Sequence, residues 1–398
     1  MRATRGLGLV CALSLAAAAC GTTYRVQDQT TIAPITTTTT VAAPATVTPT
    51  TPGGRPPTDA TIGPTSSTTT TSTTTTTTTT LPPPPPLVLG FAGDTSFTHG
   101  LAGRDPFAAV GDLLSAPDLM FVNLETAIAE ADVGSPQNKV FTFKSPPESV
   151  TVLRDAGIDV VALANNHTLD FNRPALLRTL ELLDEGGIAR AGAGTDGDEA
   201  YAPTYLEGAG RTVGFVSLSH IPCDWSAYTD INLYPEVAWT CDRFRERAAE
   251  AVAVAAANSD VAVVMVHWGI EREYCPQAYQ RELAAAWAEA GADLVIGGHP
   301  HVLQGIERIG STWVVHSLGN FAFPSARDTS SYSAVYTFTV GDDGIALRVH
   351  PVRVGGGIVR HADDGERTAI LDLIDQHSFG WNLFTDGTPV VSTDPGIC

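Results

Sequence analysis

Two histidines stand two residues apart in Gly297-Gly298-His299-Pro300-His301, directly after the apolar run Leu294-Val295-Ile296. In extended chain, residues at i and i+2 project to one side. Neutral imidazole is the commonest protein metal ligand, so the run reads as half of a metal site. Residues in the same setting offer the other half. Asp94, Asn123 with Glu125, Asn166 with His167, and His267 each close a short apolar run. Carboxylate, amide and imidazole donors together suit a divalent ion such as Mn, Zn, Fe or Mg, and the thiolates of a structural zinc site are missing. The donors exceed what one tetrahedral ion needs. A pair of ions, which clamps the attacking and departing oxygens of a hydrolysed group, is therefore within reach. Asn123, Lys144, Glu271 and Asn320 stand close enough in the pattern to be substrate contacts. Their plainer readings are a salt bridge for Lys144, a solvated charge for Glu271 and a turn cap for Asn320. His99, His220, His316, His350, His361 and His377 read as ordinary loop or strand histidines.

The elements that must position these groups are legible as strand–helix alternation. Apolar strands are expected at 87–92, 118–122, 140–143, 158–164, 188–191, 201–207, 212–218, 260–266 and 293–296. Helices are expected at 105–115, 145–156 (opened by Ser145-Pro146-Pro147-Glu148 as a capping box), 173–185, 242–258 and 277–290. Strands at 313–316, 332–340 and 345–354 and a helix around Asp372 complete the pattern. Continuous apolar strands alternating with helices argue for an α/β core covered on both faces. The alternation in Tyr336-Thr337-Phe338-Thr339 points to a second, more antiparallel sheet. Ligands of open α/β sheets bind outside the carboxyl ends of the strands, where the candidate donors lie.

Taken in order, Gly93-Asp94, Asn123-Leu124-Glu125, Asn165-Asn166-His167, His267-Trp268-Gly269-x-Glu271, Gly298-His299-Pro300-His301 and Ser317-Leu318-Gly319-Asn320-Phe321 resemble the CapA family. That family is associated with capsule and poly-γ-glutamate synthesis and is related to the calcineurin-like metallophosphoesterases. The resemblance implies a four-layer αββα sandwich. It implies that Asp94 and His301 ligate one metal, that Asn166, His267 and His299 ligate another, and that Glu125 bridges them. His167 would face the substrate as general acid or charge stabiliser, oriented by Asp170. Metallophosphoesterases carry D-x-H at the first motif, whereas Thr95-Ser96 follow Asp94 here.

The first 86 residues belong to a different regime. Arg2 and Arg5, the weakly apolar Gly6–Leu15 and the alanines before Cys20 read as an export signal over residues 1–20. Cys20 is in the position of an acylated lipoprotein cysteine, with simple cleavage after Ala19 as the alternative. Residues 22–86 are almost entirely Thr, Pro, Ala, Ser and Gly. Such a stretch has too little apolar surface to offset its ordering entropy. It reads as a disordered stalk with a reach of roughly 200 Å at about 3.1 Å per residue. One folded domain over 87–398 then follows.

The chain's net charge is −20 and its first 86 residues carry +2, so the domain carries −22, which argues against a nucleic-acid partner. Cys223, Cys241, Cys275 and Cys398 suggest two disulfides, with three possible pairings. The expectation is an extracytoplasmic, lipid-anchored protein with a metal-dependent hydrolase or transferase site. It would act in synthesis, export or anchoring of an anionic envelope polymer such as poly-γ-glutamate, beside export-assembly proteins. A non-catalytic polymer-tethering module and a secreted phosphoesterase are the alternatives.

Overall fold

The computed structural model describes residues 85–98, 100–101, 103–223, 236–383, 386–392 and 396–398. The expected signal, Cys20, nearly all of the stalk and His99 lie outside them.

Two sheets form the centre. The first has seven strands, of which Leu87–Thr95, Leu119–Leu124, Val160–Ala162 and Ala189–Ala191 run parallel as neighbours. The second has six, with Arg211–Ser219, Val261–His267, Leu294–Gly298 and Thr312–Val315 parallel. The alternating strands Tyr332–Gly341 and Gly344–Gly355 do not build a separate antiparallel sheet. They form a hairpin that extends the first sheet, pairing antiparallel with Leu87–Thr95. Their alternation reflects one buried and one half-exposed face within a mixed sheet.

Three apolar cores show the layering. Between the sheets, Phe91 stacks on Phe121 at 4.7 Å, and Phe121 meets Phe215 of the other sheet at 4.8 Å. Outside the first sheet, Val150 and Leu153 of helix Ser149–Asp155 and Leu176, Leu180 and Leu183 of helix Asn172–Gly186 pack on Val122 and Val161. Outside the second, Val252 of helix Arg245–Ala257 and Leu283 and Trp287 of helix Ala278–Glu289 pack on Val264 and Val295. Helix, sheet, sheet, helix is the four-layer αββα sandwich the resemblance implied.

A repeated device sets the register at the end of the strands opposite the candidate donors. Asp118, Asp159, Asp260 and Asp293 each stand just before a parallel strand. Their carboxylates accept from the backbone N–H of Val88, Met120, Thr212 and Ala262 at 2.8, 2.7, 2.8 and 2.9 Å. Each aspartate's own N–H donates back to the carbonyl of the same residue. A one-residue slip would turn every inward side chain outward, so these paired bonds also fix where each strand ends.

Local differences have local causes. Ser145 does not cap a helix. It lies in a two-residue strand, and its hydroxyl accepts from Phe97 N–H and contacts Thr126. The helix starts at Ser149 instead. The 140–143 strand does not form, leaving Val140 and Phe141 exposed at 89% and 68%. The helix expected at 105–115 shrinks to Gly111–Leu114. The disulfides are Cys223–Cys241 and Cys275–Cys398.

Candidate metal centre

Asp94 and Asn123 are neighbours across the first sheet, and Glu125 follows one residue beyond its strand. Asn166 and His167 leave Val160–Ala162 on the same edge. The second sheet contributes His267 at its strand end and His299 and His301 just past Gly298. His299 and His301 both adopt positive φ, 94° and 57°. That costs side-chain-bearing residues energy and is held here by the surrounding contacts.

All six expected ligands converge. His267 Nε2 lies 2.7 Å from Asn166 Oδ1 and 3.1 Å from His299 Nδ1. His301 Nδ1 is 3.2 Å from Asp94 Oδ2. Glu125 Oε1 is 3.5 Å from His267 Nε2, 3.7 Å from His167 Nε2 and 3.8 Å from His301 Nε2. Two compact ligand groups emerge, Glu125 with His299 and His301, and Asp94 with Glu125 and His267. Glu125 is common to both, as a bridging carboxylate must be. The shortest distances pair Asp94 with His301, and Asn166 and His299 with His267, as the resemblance implied.

The electrostatics fit a cation-binding centre. Both Glu125 carboxylate oxygens are buried without a hydrogen-bond partner, a costly arrangement unless an ion completes it. Burial, reinforced by the nearby Asp94 charge, raises the Glu125 carboxyl well above its usual range. Burial works against protonation of His301, yet the Glu125 and Asp94 carboxylates overcome it and push the ring up to about 10. His267 and His299 are pushed well below the usual histidine range by burial, then by neighbouring histidines. They are neutral and available as ligands.

The centre opens into a cavity of about 330 Å³ lined by His167, His301, Asn320, Phe143, Phe323 and Arg272, among others. His167 stacks on Phe143 at 4.0 Å and makes a 2.6 Å hydrogen bond from Nδ1 to Asp170 Oδ2. Burial, opposed by Asp170, holds His167 at about 4.

The model of the bacterial capsule synthesis protein PGA_cap matches residues 88–325. The chain belongs to the PGA_cap family. The PGA biosynthesis protein CapA of Bacillus subtilis is 26% identical over 286 residues, 70% of this chain and 73% of that one. A probable polyglutamine synthesis accessory protein of Mycobacterium tuberculosis is 31% identical over 291 residues, 68% of this chain and 76% of that one. A solved structure titled as a novel phosphatase of Mycoplasma pneumoniae aligns at TM-score 0.43 and 12% identity, over 73% of this chain and 100% of that one.

Within this PGA_cap chain the expected substrate contacts separate. Glu271 and Asn320 line the cavity. Asn320 Oδ1 also meets His301 Nδ1 at 2.9 Å, and its amide donates to Ser330 O at 2.9 Å, so it orients the His301 ring. Asn123 is not a substrate contact. It is 4% exposed, and its amide nitrogen meets Asp94 Oδ1 at 2.7 Å and His267 Nδ1 at 3.1 Å. Lys144 is also misplaced by the sequence reading. Its ammonium donates to Ala131 O and Val133 O at 2.9 and 3.0 Å and covers Phe171.

The lysine at the PGA_cap centre is Lys139. Its ammonium pairs with Asp170 and donates to Asn166 O at 2.7 Å. Nothing in its sequence setting marks it, because it arrives from an irregular loop. The family motif glycines have a steric cause. A β-carbon on Gly93 would stand 1.9 Å from Gly319 O, which brings the Gly-Asp and Ser-Leu-Gly-Asn-Phe motifs into contact.

Proposed function

We propose that this chain is an exported, membrane-anchored member of its family. Its metal-dependent hydrolase or transferase centre acts on an anionic cell-envelope polymer such as poly-γ-glutamate. The observation that carries the reading is the Glu125 carboxylate, buried and without a hydrogen bond, shared by two ligand groups and lying behind His167 and His301, which line the cavity. The names of the relatives supply the polymer class, and the family match supports it.

Asp94, Glu125, Asn166, His267, His299 and His301 are the residues that would hold one or two divalent ions, Mn, Zn, Fe or Mg. Such an ion polarises a scissile carbonyl or phosphoryl oxygen when bound. The chain's own groups do the rest. Asp170 accepts the Nδ1 proton of His167 and so leaves Nε2 bare toward Glu125 and the cavity. With its pKa near 4, His167 is neutral at pH 7. It begins as a proton acceptor and becomes the acid only after taking a proton from the attacking group. Phe143 and Asp170 hold its ring, while Lys139 balances the Asp170 charge. Asn123 and Asn320 aim His267 and His301.

Lipid anchoring rests on Cys20 after its alanine run. Export and hand-over of the polymer by an export assembly follow from that address. The test is turnover. Purified chain, loaded with Mn or Zn and quantified by mass spectrometry, is expected to shorten or transfer poly-γ-glutamate, and His167→Ala to abolish this with metal content retained. A chain that takes up neither ion would sink the reading. Labelled palmitate incorporation, lost in Cys20→Ser, tests the anchor.

A further inference from the structure

The cavity above the centre carries two arginines that the chemistry described so far does not use. Arg272 and Arg327 line it on the rim beside His301. Among the described residues, neither has a carboxylate within salt-bridge reach. Most other described arginines find one, as Arg178 does with Glu130 at 3.0 Å, Arg190 with Glu199 at 3.0 Å and Arg360 with Glu366 at 2.7 Å; Arg243 and Arg308 instead cover aromatic rings, away from this cavity. With 43 Asp and Glu against 23 Lys and Arg, two unpaired guanidiniums beside one cavity are not the default outcome.

Both are held in place through their backbones. Arg272 adopts φ 65°, and its N–H donates to Pro300 O at 2.8 Å, inside the Gly-His-Pro-His turn. Arg327 N–H donates to Ser330 Oγ at 3.0 Å, whose own hydroxyl donates back to Arg327 O at 2.6 Å. Ser330 O accepts from Asn320, and Asn320 contacts His301. Each arginine is thus tied by a short chain of hydrogen bonds to the residues flanking one candidate ligand. Phe143 and Phe323 supply apolar wall between the rim and the centre.

We propose that Arg272 and Arg327 form a carboxylate-binding subsite that seats repeated acidic groups of a polymer while the aromatic walls take its methylenes. The proposal rests on the reading of the centre given above and names the specificity determinants of that same site. A guanidinium fork matches a carboxylate with two parallel hydrogen bonds. Glu271 shares the rim and opposes the same ligand, so the subsite discriminates by position as well as by charge.

Binding of a fluorescent γ-linked glutamate oligomer to the full chain, read by anisotropy with and without EDTA, tests this. Arg272→Gln and Arg327→Gln are each expected to weaken binding about tenfold, and the double variant about a hundredfold. Glu271→Gln is expected to tighten it, and Arg154→Gln, a distant exposed arginine, to leave it unchanged. An oligomer with amidated side chains should bind wild type as poorly as the double variant binds the acid form. Melting temperatures should match throughout, since both arginines are exposed. Equal binding by wild type and double variant overturns the proposal, as does preference for polyphosphate over the carboxylate oligomer. Arginine dependence that persists in EDTA supports the subsite even if the centre proves inactive, so the two readings fail separately.

Discussion

Gly298 lies so close to Asp94 that a β-carbon there would stand 2.7 Å from the carboxylate oxygen Oδ1. The two residues come from different sheets, and the contact sets the spacing between the Asp94 carboxylate and the histidine turn. Gly298→Ala is expected to push Asp94 aside. It should cost about 1–3 kcal/mol, the usual range for overpacking, and lower bound metal more steeply than stability. Metal content against melting temperature checks this; unchanged metal would show the contact to be incidental.

Glu125 should behave oppositely in the two readouts. Its buried, unpartnered charge next to Asp94 burdens the metal-free protein. Glu125→Gln keeps the shape and removes that charge. Metal uptake should be lost, while the chelated variant should be more stable than chelated wild type by about 1 kcal/mol. Urea melts of both proteins in EDTA decide the sign.

Lys139 is expected to act through Asp170 and His167. Lys139→Met leaves the buried Asp170 carboxylate short of a partner and should cost about 3 kcal/mol, in the range for breaking a buried pair. If Lys139 also positions His167, turnover per folded molecule falls while KM is little changed, and Lys139→Arg restores both. Loss of stability without the turnover effect would reduce Lys139 to a structural ion pair.

A fourth expectation lies far from the centre. Glu307 accepts from Arg281 Nε at 3.0 Å and contacts His316 Nε2 at 3.1 Å. Burial alone would raise its carboxyl, but the His316 and Arg281 hydrogen bonds hold it at about 2. The folded value is depressed, so the stabilisation is complete above the unfolded value near 4.5 and is lost as pH falls toward 2. Glu307→Gln should therefore cost about 1–3 kcal/mol at pH 7, and the gap to wild type should narrow between pH 4.5 and 2. Denaturant melts across that range would show it, and a constant gap would contradict it.

Residues at strand exits were the most legible part of this chain. Asp94, Glu125, Asn166, His267, His299 and His301 announce themselves because an apolar strand ends in a polar group only where something uses it. The layering was legible for the same reason, through apolar runs alternating with helices. Lys139 was not, since a loop carries no period and its partner Asp170 is 31 positions away. Nor was the hairpin 332–355, whose alternation specifies a half-exposed face but not which sheet it joins. The four aspartates at strand starts were visible as Asp before Leu or Val, yet an isolated aspartate before a strand reads equally as a turn residue.

The centre draws Asp94, Glu125 and Asn166 from one sheet and His267, His299 and His301 from the other. An ion held there would be a removable fastener between two halves of the sandwich, added to the apolar packing beneath it and to hydrogen bonds such as His299 N–H to Asp94 and Ala164 N–H to Ser217. Metal supply would then add to mechanical cohesion at the mouth of the fold as well as to chemistry. A cell that starves the protein of its ion would loosen the substrate cleft while leaving the deep core, around Phe91, Phe121 and Phe215, intact.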